Sequence, residues 1–304
     1  MEVASIAPGA IAWTAISADF RRWLQEPWDV RVRSGSSGVE ADIWMLGRGD
    51  ESPRYVLKIW NRQFRADAER QHAFLARARK LGLPVPRTAG WGIDGDGHQV
   101  LAMGFAGWPG LGSGGQRLPR FAAVLARIHS IEPQTLNLPL ESGLSYLQAG
   151  HFPAIANHLD VASLVEALLP KLPPAVSRLV HGDYNFSNAA FDRRGRMTIL
   201  DWGEACIGDA LYDAAWAAVT IVVYAGVRDY QTFMATYRAA TDLAIAPAAQ
   251  AVREAVAALR WTLISRVHRP IHRDLPGVEE RAARIDAFVA DRLAPPLRAL
   301  WAGP

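Results

Sequence analysis

The stretch Leu179–Asp213, LVHGDYNFSNAAFDRRGRMTILDWGEACIGDALYD, constrains this chain more than any other. Two short apolar runs, ending at Val180 and Leu200, each feed directly into polar residues. The first leads into His181, Asp183 and Asn188 in an H-x-D-x-x-x-x-N arrangement, and the second into Asp201-Trp202-Gly203. Apolar runs of this length, bounded by turn residues, read as buried strands whose polar residues sit on the loops they deliver. Gly203 is expected to supply the tight turn that aims the Asp201 carboxylate.

The residue types define a chemistry. A hard divalent cation such as Mg²⁺ takes oxygen ligands and keeps few protein ligands besides substrate phosphates. Asn188 and Asp201 are two such ligands, and Asp183 is a carboxylate able to accept a proton from, or orient, an attacking hydroxyl. Together they suit phosphoryl transfer. H-G-D alone closes many loops and D-W-G alone is an ordinary turn; the ordered pair, each behind an apolar strand, carries the reading.

Composition excludes several alternatives. The 304 residues are half hydrophobic, enough for a sizeable core and about two lobes. Net charge is +3, from 33 basic and 30 acidic residues mixed along the chain, so neither nucleic acid nor a membrane is expected as a partner. The single cysteine, Cys206, rules out a disulfide framework and reads as a small buried hydrophobe. The longest apolar run, 214–223, is too short to span a bilayer, and no leader-like segment opens the chain. A cytoplasmic protein is expected. Of the 33 basic residues only Lys58, Lys80 and Lys171 are lysine, and Lys58 lies inside the apolar run 55–60.

Read in order, residues 11–25 show apolar residues at helical spacing and predict an amphipathic helix ended by Pro27. Residues 29–47 predict two strands around Gly35-Ser36-Ser37-Gly38, either a plain hairpin turn or a lid whose backbone N–H groups cover phosphates. Lys58 is either an edge-strand lysine with its amine in water or an inward ammonium held by a carboxylate. Glu69, near the start of a helix over 66–81, is the favoured partner; Asp67 competes, and both would also suit the helix N-terminus. Two further strands, 91–93 and 99–105, flank the Asp94–Gly97 turn. Gly110, Gly112 and Gly115 form a G-x-G-x-x-G, but the βαβ context of a dinucleotide site is missing, so 106–115 reads as an inter-lobe linker. Beyond it the chain is mostly helical, with Asp209 capping a helix and His129 a structural histidine. His268 and His272 are four apart but lack a third ligand for zinc. The arginines at 253, 260, 266, 269 and 273 read mostly as a solvated helix face.

With these residues in view, the chain resembles the aminoglycoside phosphotransferase family, small-molecule relatives of the protein kinases, in order over nearly its whole length. Lys58 in VLKIW looks like the family's phosphate-binding lysine and Glu69 its ion-pair partner. HGDYNFSN looks like the catalytic loop, with Asp183 the catalytic aspartate and Asn188 a metal ligand. Asp201 looks like the second metal ligand, and the last residue of GDALYD, Asp213, a structural aspartate. VHGDYNFSN and ILDWGEACIGD look particularly like the hygromycin phosphotransferase branch. The resemblance implies an α+β, two-lobed, protein-kinase-like fold: a small N-lobe with an antiparallel sheet over 1–105 and a large, mostly helical C-lobe over 106–304. It implies ATP or GTP with Mg²⁺ as cofactors, bound between the lobes against Ser36, Ser37, Met103 and Phe105, and a small-molecule hydroxyl acceptor. The chain departs from protein kinases in two ways. Its glycine loop lacks the three-glycine pattern, and no activation loop follows Asp201. The family also phosphorylates choline-like alcohols, homoserine, sugars and macrolides. The complete residue set argues against a non-catalytic nucleotide-binding module.

Overall fold

The structure, a computed structural model, describes residues 8, 11–25, 33–34, 41–47, 52–62, 66–110, 117–136, 152, 154–268 and 277–292. The fold is α+β. The chain divides into two compact units: Met1–Pro109 with Ala190–Gly203, and Gly110–Ala189 with Glu204–Pro304.

The first unit is a six-stranded antiparallel sheet with two helices. Its elements are β1 (Trp13–Ile16), α1 (Ala18–Leu24), β2 (Arg33–Ser34), β3 (Ala41–Leu46), β4 (Tyr55–Trp60), α2 (Ala68–Lys80), β5 (Thr88–Asp94) and β6 (Gln99–Gly104). The strand order is β1-β5-β6-β4-β3-β2. Residues 11–25 are therefore not one helix. Trp13–Ile16 pairs with β5, Trp13 opposite Asp94 and Ile16 opposite Gly92. Ser17 ends the strand and starts the helix: its hydroxyl accepts the Phe20 N–H at 3.2 Å, and its oxygen also accepts the Trp91 N–H at 3.1 Å. The apolar spacing that suggested one helix serves both pieces, since Trp13, Phe20 and Trp23 meet as rings. Phe20, Trp23, Leu46, Leu57 and Val100 form the core under the sheet. Asp67 caps α2 by accepting the Arg70 N–H at 2.8 Å.

The supposed linker is structured at its start. Trp108–Pro109 forms β7, pairing with β9 (Ala189–Phe191), which pairs with β10 (Met197–Ile199). Gly107 has φ +111°, and a Cβ there would overlap the Phe191 carbonyl. Of the G-x-G-x-x-G, only Gly110 lies among the described residues.

The second unit holds α3 (Arg117–His129), α4 (Leu159–Leu168), β8 (Ser177–Val180), β11 (Cys206–Asp209), α5 (Ala210–Ala225), α6 (Val227–Ala240), α7 (Pro247–His268) and α8 (Val278–Arg292). β8 and β11 pair antiparallel, Val180 opposite Cys206. α5 is buried around its whole circumference from Ala210 to Val223, as a helix apolar on nearly every side must be, with Asp213 and Thr220 its buried polar residues. Tyr212, Trp216 and Val219 of α5 pack with Leu164 of α4, Leu259 of α7 and Phe288 of α8. Asp209 caps α5 through Leu211 N–H at 3.1 Å and accepts Arg253 Nε at 2.7 Å. Arg253 and Arg260 are thus buried rather than solvated, while Arg266 pairs with Asp160 near the surface; Arg269 and Arg273 lie outside the described residues. Cys206 is buried and forms no disulfide. No described helix is long and apolar enough to cross a membrane.

Candidate active site

Lys58 sits on β4, between β3 and β6, so it is not an edge lysine. It is only 8 % exposed, and a buried ammonium requires a charge partner. That partner is Asp201, with Nζ 2.7 Å from Oδ1; the same Nζ lies 4.9 Å from the Trp60 ring centroid. Glu69 is exposed on the first turn of α2, and no bond joins it to Lys58 among the described residues. Gln71 of α2 reaches the turn that follows Asp201: a Cβ on Gly203 would lie 3.3 Å from Gln71 Nε2 and 3.6 Å from Asp201 Oδ1.

The Asp201 turn is built differently from the expectation. The left-handed residue is Asp201 itself, φ +54°, not Gly203. Aspartate is among the few side-chain-bearing residues that tolerate this region. Trp202 fixes the turn: its Nε1–H donates to the Ile199 carbonyl at 2.9 Å, and its ring packs on Phe74 of α2 at 5.2 Å. Ile199 N–H in turn donates to the Pro84 carbonyl at 2.6 Å.

Met103 lies half-buried on β6 opposite Val56. The Phe105 N–H donates to the Arg54 carbonyl at 2.8 Å, and its ring meets Trp108 edge-on at 5.3 Å. Ser36 and Ser37 lie outside the described residues, as do His272 and the side chain of His268.

The second unit carries the other motif. β8 delivers His181, and the loop is held from below by Asp213 of α5. Asp213 accepts His181 N–H at 2.9 Å on Oδ2 and Gly182 N–H at 3.1 Å on Oδ1. His129 bridges Asp213 (Nε2, 3.1 Å) and the Tyr237 hydroxyl (Nδ1, 2.7 Å). Burial pushes the Asp213 carboxyl upward, but the bonds and charge of His129 and His181 outweigh it and hold the group below its ordinary value. Gly182 is required where it stands: φ is +84°, and a Cβ would come 2.6 Å from the Glu204 Cβ. Tyr184 locks the loop to α3, its hydroxyl donating to the Phe121 carbonyl at 2.8 Å and its ring stacked on Phe121.

Asp183 is half-buried and closely bonded. Oδ1 accepts Asn185 Nδ2 and Trp216 Nε1, both at 2.9 Å, and Oδ2 accepts Asn188 Nδ2 at 2.9 Å. Asn188 Nδ2 also donates to the Asp183 carbonyl at 2.9 Å. Its amide nitrogen is thereby engaged, leaving the carbonyl oxygen as the donor atom for a hard cation. Asp201, with its side chain 43 % exposed, offers carboxylate oxygens. Both donors have the chemistry Mg²⁺ selects. Sequence reasoning left out three residues here: Asn185, Gln71 and Trp216. Only Trp216 had a signal, its position three residues after Asp213, which puts both on one face of α5.

A central-strand lysine paired with a turn aspartate, and a separate H-G-D loop with a fixed carboxylate, on this α+β fold, define a phosphotransferase of the protein-kinase-like class. The chain belongs to the phosphotransferase enzyme family APH, whose profile matches residues 31–259. A comparison with curated proteins gives no match. Among solved structures, the chain is similar to macrolide 2'-phosphotransferase type I, with TM-score 0.60 and 17 % identity over 91 % of this chain and 95 % of that one. It is similar to a thermostable mutant of aminoglycoside phosphotransferase APH(4)-Ia in ternary complex with AMP-PNP and hygromycin B (TM-score 0.58, 18 % identity, 89 % and 96 % covered). It is also similar to a choline/ethanolamine kinase family protein from Mesorhizobium loti (TM-score 0.55, 17 % identity, 91 % and 92 % covered).

Proposed function

We propose that this chain transfers the γ-phosphate of ATP or GTP to a hydroxyl of a small, cationic, aminoglycoside- or aminocyclitol-like acceptor. The observation that carries the reading is the state of the Asp183 carboxylate. Three N–H donors fix it, two on Oδ1 and one on Oδ2. A carboxylate has about four acceptor sites, so one site, on Oδ2, remains for a substrate hydroxyl. Asp183 accepts that hydroxyl's proton as its oxygen attacks phosphorus.

The other residues bind and orient. Lys58, paired with Asp201, would contact phosphate oxygens of the nucleotide. Asn188 and Asp201 would be the oxygen ligands for Mg²⁺. The ion, when bound, neutralises charge that builds on the phosphates in transfer. Met103 and Phe105 would line the base. A cationic acceptor is favoured by Glu204. It is exposed, and its Cβ abuts Gly182, the residue before Asp183. The similar structure that holds AMP-PNP and hygromycin B supports this acceptor class, whereas those named for a macrolide and for choline/ethanolamine point to other alcohols.

The test is a screen with γ-labelled ATP against hygromycin-like aminocyclitols and choline, followed by Asp183→Asn. Labelled aminocyclitol is expected, with turnover in the variant lower by about 10²–10⁴-fold and nucleotide affinity kept. Full activity in Asp183→Asn removes the residue from its role; label on choline alone moves the acceptor to another alcohol class.

A further inference from the structure

We infer that Trp216 is a positioning residue for Asp183: its buried indole N–H selects the carboxylate's orientation and, with Asn185, occupies Oδ1 so that only Oδ2 is open to the acceptor hydroxyl. This rests on the phosphotransferase reading and adds to it a residue that hydropathy alone assigns to the core.

The geometry is specific. Trp216 is 4 % exposed, and its Nε1 stands 2.9 Å from Asp183 Oδ1. A buried indole N–H requires an acceptor, and here the acceptor is the carboxylate of the reactive loop. A charge-assisted bond of this kind is stronger than a neutral one. Two features of the surroundings sharpen it. Arg260 of α7, itself buried, stacks its guanidinium 4.4 Å from the Trp216 ring centroid. A cation on the ring face draws electron density from the indole and strengthens its N–H as a donor. Asp213, one helical turn earlier on the same face of α5, holds the backbone N–H groups of His181 and Gly182. One helix face therefore fixes both the loop's main chain and its carboxylate. An ordinary core tryptophan would serve as well with its N–H on any carbonyl.

The arrangement also separates the two oxygens. Oδ1 receives Asn185 and Trp216, which fill its two lone pairs. Oδ2 receives Asn188 alone. Without the Trp216 bond, the oxygen beside Asn185 has a free lone pair and the carboxylate can twist, so a fraction of molecules offer the acceptor hydroxyl a misplaced acceptor site. The loss should appear in turnover and not in nucleotide binding.

The experiment replaces Trp216 by 3-benzothienylalanine, which keeps the bicyclic ring and exchanges N–H for sulfur, beside Trp216→Phe. In the full chain, kcat with the labelled acceptor should fall about 10- to 100-fold, the worth of one hydrogen bond to a charged group. KM for nucleotide and thermal midpoint should hold for the sulfur isostere. In an Asp183→Asn background the same replacement should cause little further loss. An unchanged kcat, or an equal loss in that background, overturns the role. So does an effect confined to the nucleotide KM. The contact is read without turnover by the ¹H–¹⁵N indole resonance that Trp216→Phe removes. That resonance should move on Asp183→Ala, and if it does not, the hydrogen bond is absent and the proposal falls. A wild-type chain that labels no alcohol overturns the function and the catalytic sense of this role with it. An active wild type indifferent to the isostere overturns Trp216 alone.

Discussion

Asp201 occupies left-handed backbone while carrying a charged side chain, and its neighbours hold it there. Trp202 anchors the turn to Ile199, and Lys58 grips the carboxylate. Gly203 beside it needs no special backbone: its φ is not in the left-handed region. An added Cβ would meet the flexible end of Gln71 at 3.3 Å and Asp201 Oδ1 at an ordinary 3.6 Å. Gly182 differs, because φ +84° and the Glu204 backbone oxygen at 2.7 Å leave no place for a methyl group. Gly182→Ala should therefore cost about 2–4 kcal/mol and Gly203→Ala under about 1 kcal/mol. Urea unfolding of the two variants decides it, and a loss at 203 equal to that at 182 contradicts the account.

α5 is the element on which the second half of the site depends. Its composition is core-like, yet Asp213 and the Trp216 N–H both bond the 181–183 loop, while the cap residue Asp209 holds Arg253 of α7. Asp213 is the group whose titration should be visible in stability. Burial raises its pKa, and His129 and His181 more than reverse this, so the folded value lies below the unfolded one near 4. The stabilisation is therefore complete above about pH 5 and is lost as pH falls through the folded value. Asp213→Asn should be less stable than wild type at pH 7 by about 2–4 kcal/mol, and the gap should narrow as pH falls from 5 toward 3. Urea midpoints at pH 7, 5 and 4 measure it; a constant or widening gap refutes the assignment. Much of α5 was legible beforehand, because an Asp cap followed by a run apolar except for Asp213 and Thr220 can be little else. The role of Trp216 was not, since hydropathy scores the ring and ignores its N–H. Residues 11–25 failed for the opposite reason. The spacing of Trp13, Ile16 and Phe20 fits a helix, but β5 offered Trp13–Ile16 a pairing partner and Ser17 a place to end the strand.

At the scale of the whole chain, residues 190–203 return to the first unit and bring Asp201 onto Lys58. The two loops themselves were readable, because short apolar runs that end in polar turn residues read as strands, and β8 and β10 lead into them. The return was not, because the pairing that guides it is only two residues long and joins positions about eighty apart in sequence: Trp108 with Phe191, and Pro109 with Ala190. Its signature is one glycine. Gly107 is left-handed and lies against the Phe191 carbonyl, so any side chain there must push β7 from β9. β9 and β10 form one hairpin with the Asp201 turn at its end, and a displaced β9 misplaces the carboxylate that pairs with Lys58. Gly107→Ala is therefore expected to weaken Mg·ATP binding by about tenfold or more, about 1.4 kcal/mol, beyond its cost in stability. Gly195, in the turn between β9 and β10, is the control: it is also left-handed (φ +71°), but a Cβ there would meet nothing within 4 Å. Gly195→Ala should cost about 1 kcal/mol of stability and leave nucleotide affinity unchanged. Calorimetric titration of the two folded variants separates the cases. Equal affinities would mean that Asp201 reaches Lys58 without the β7–β9 pairing.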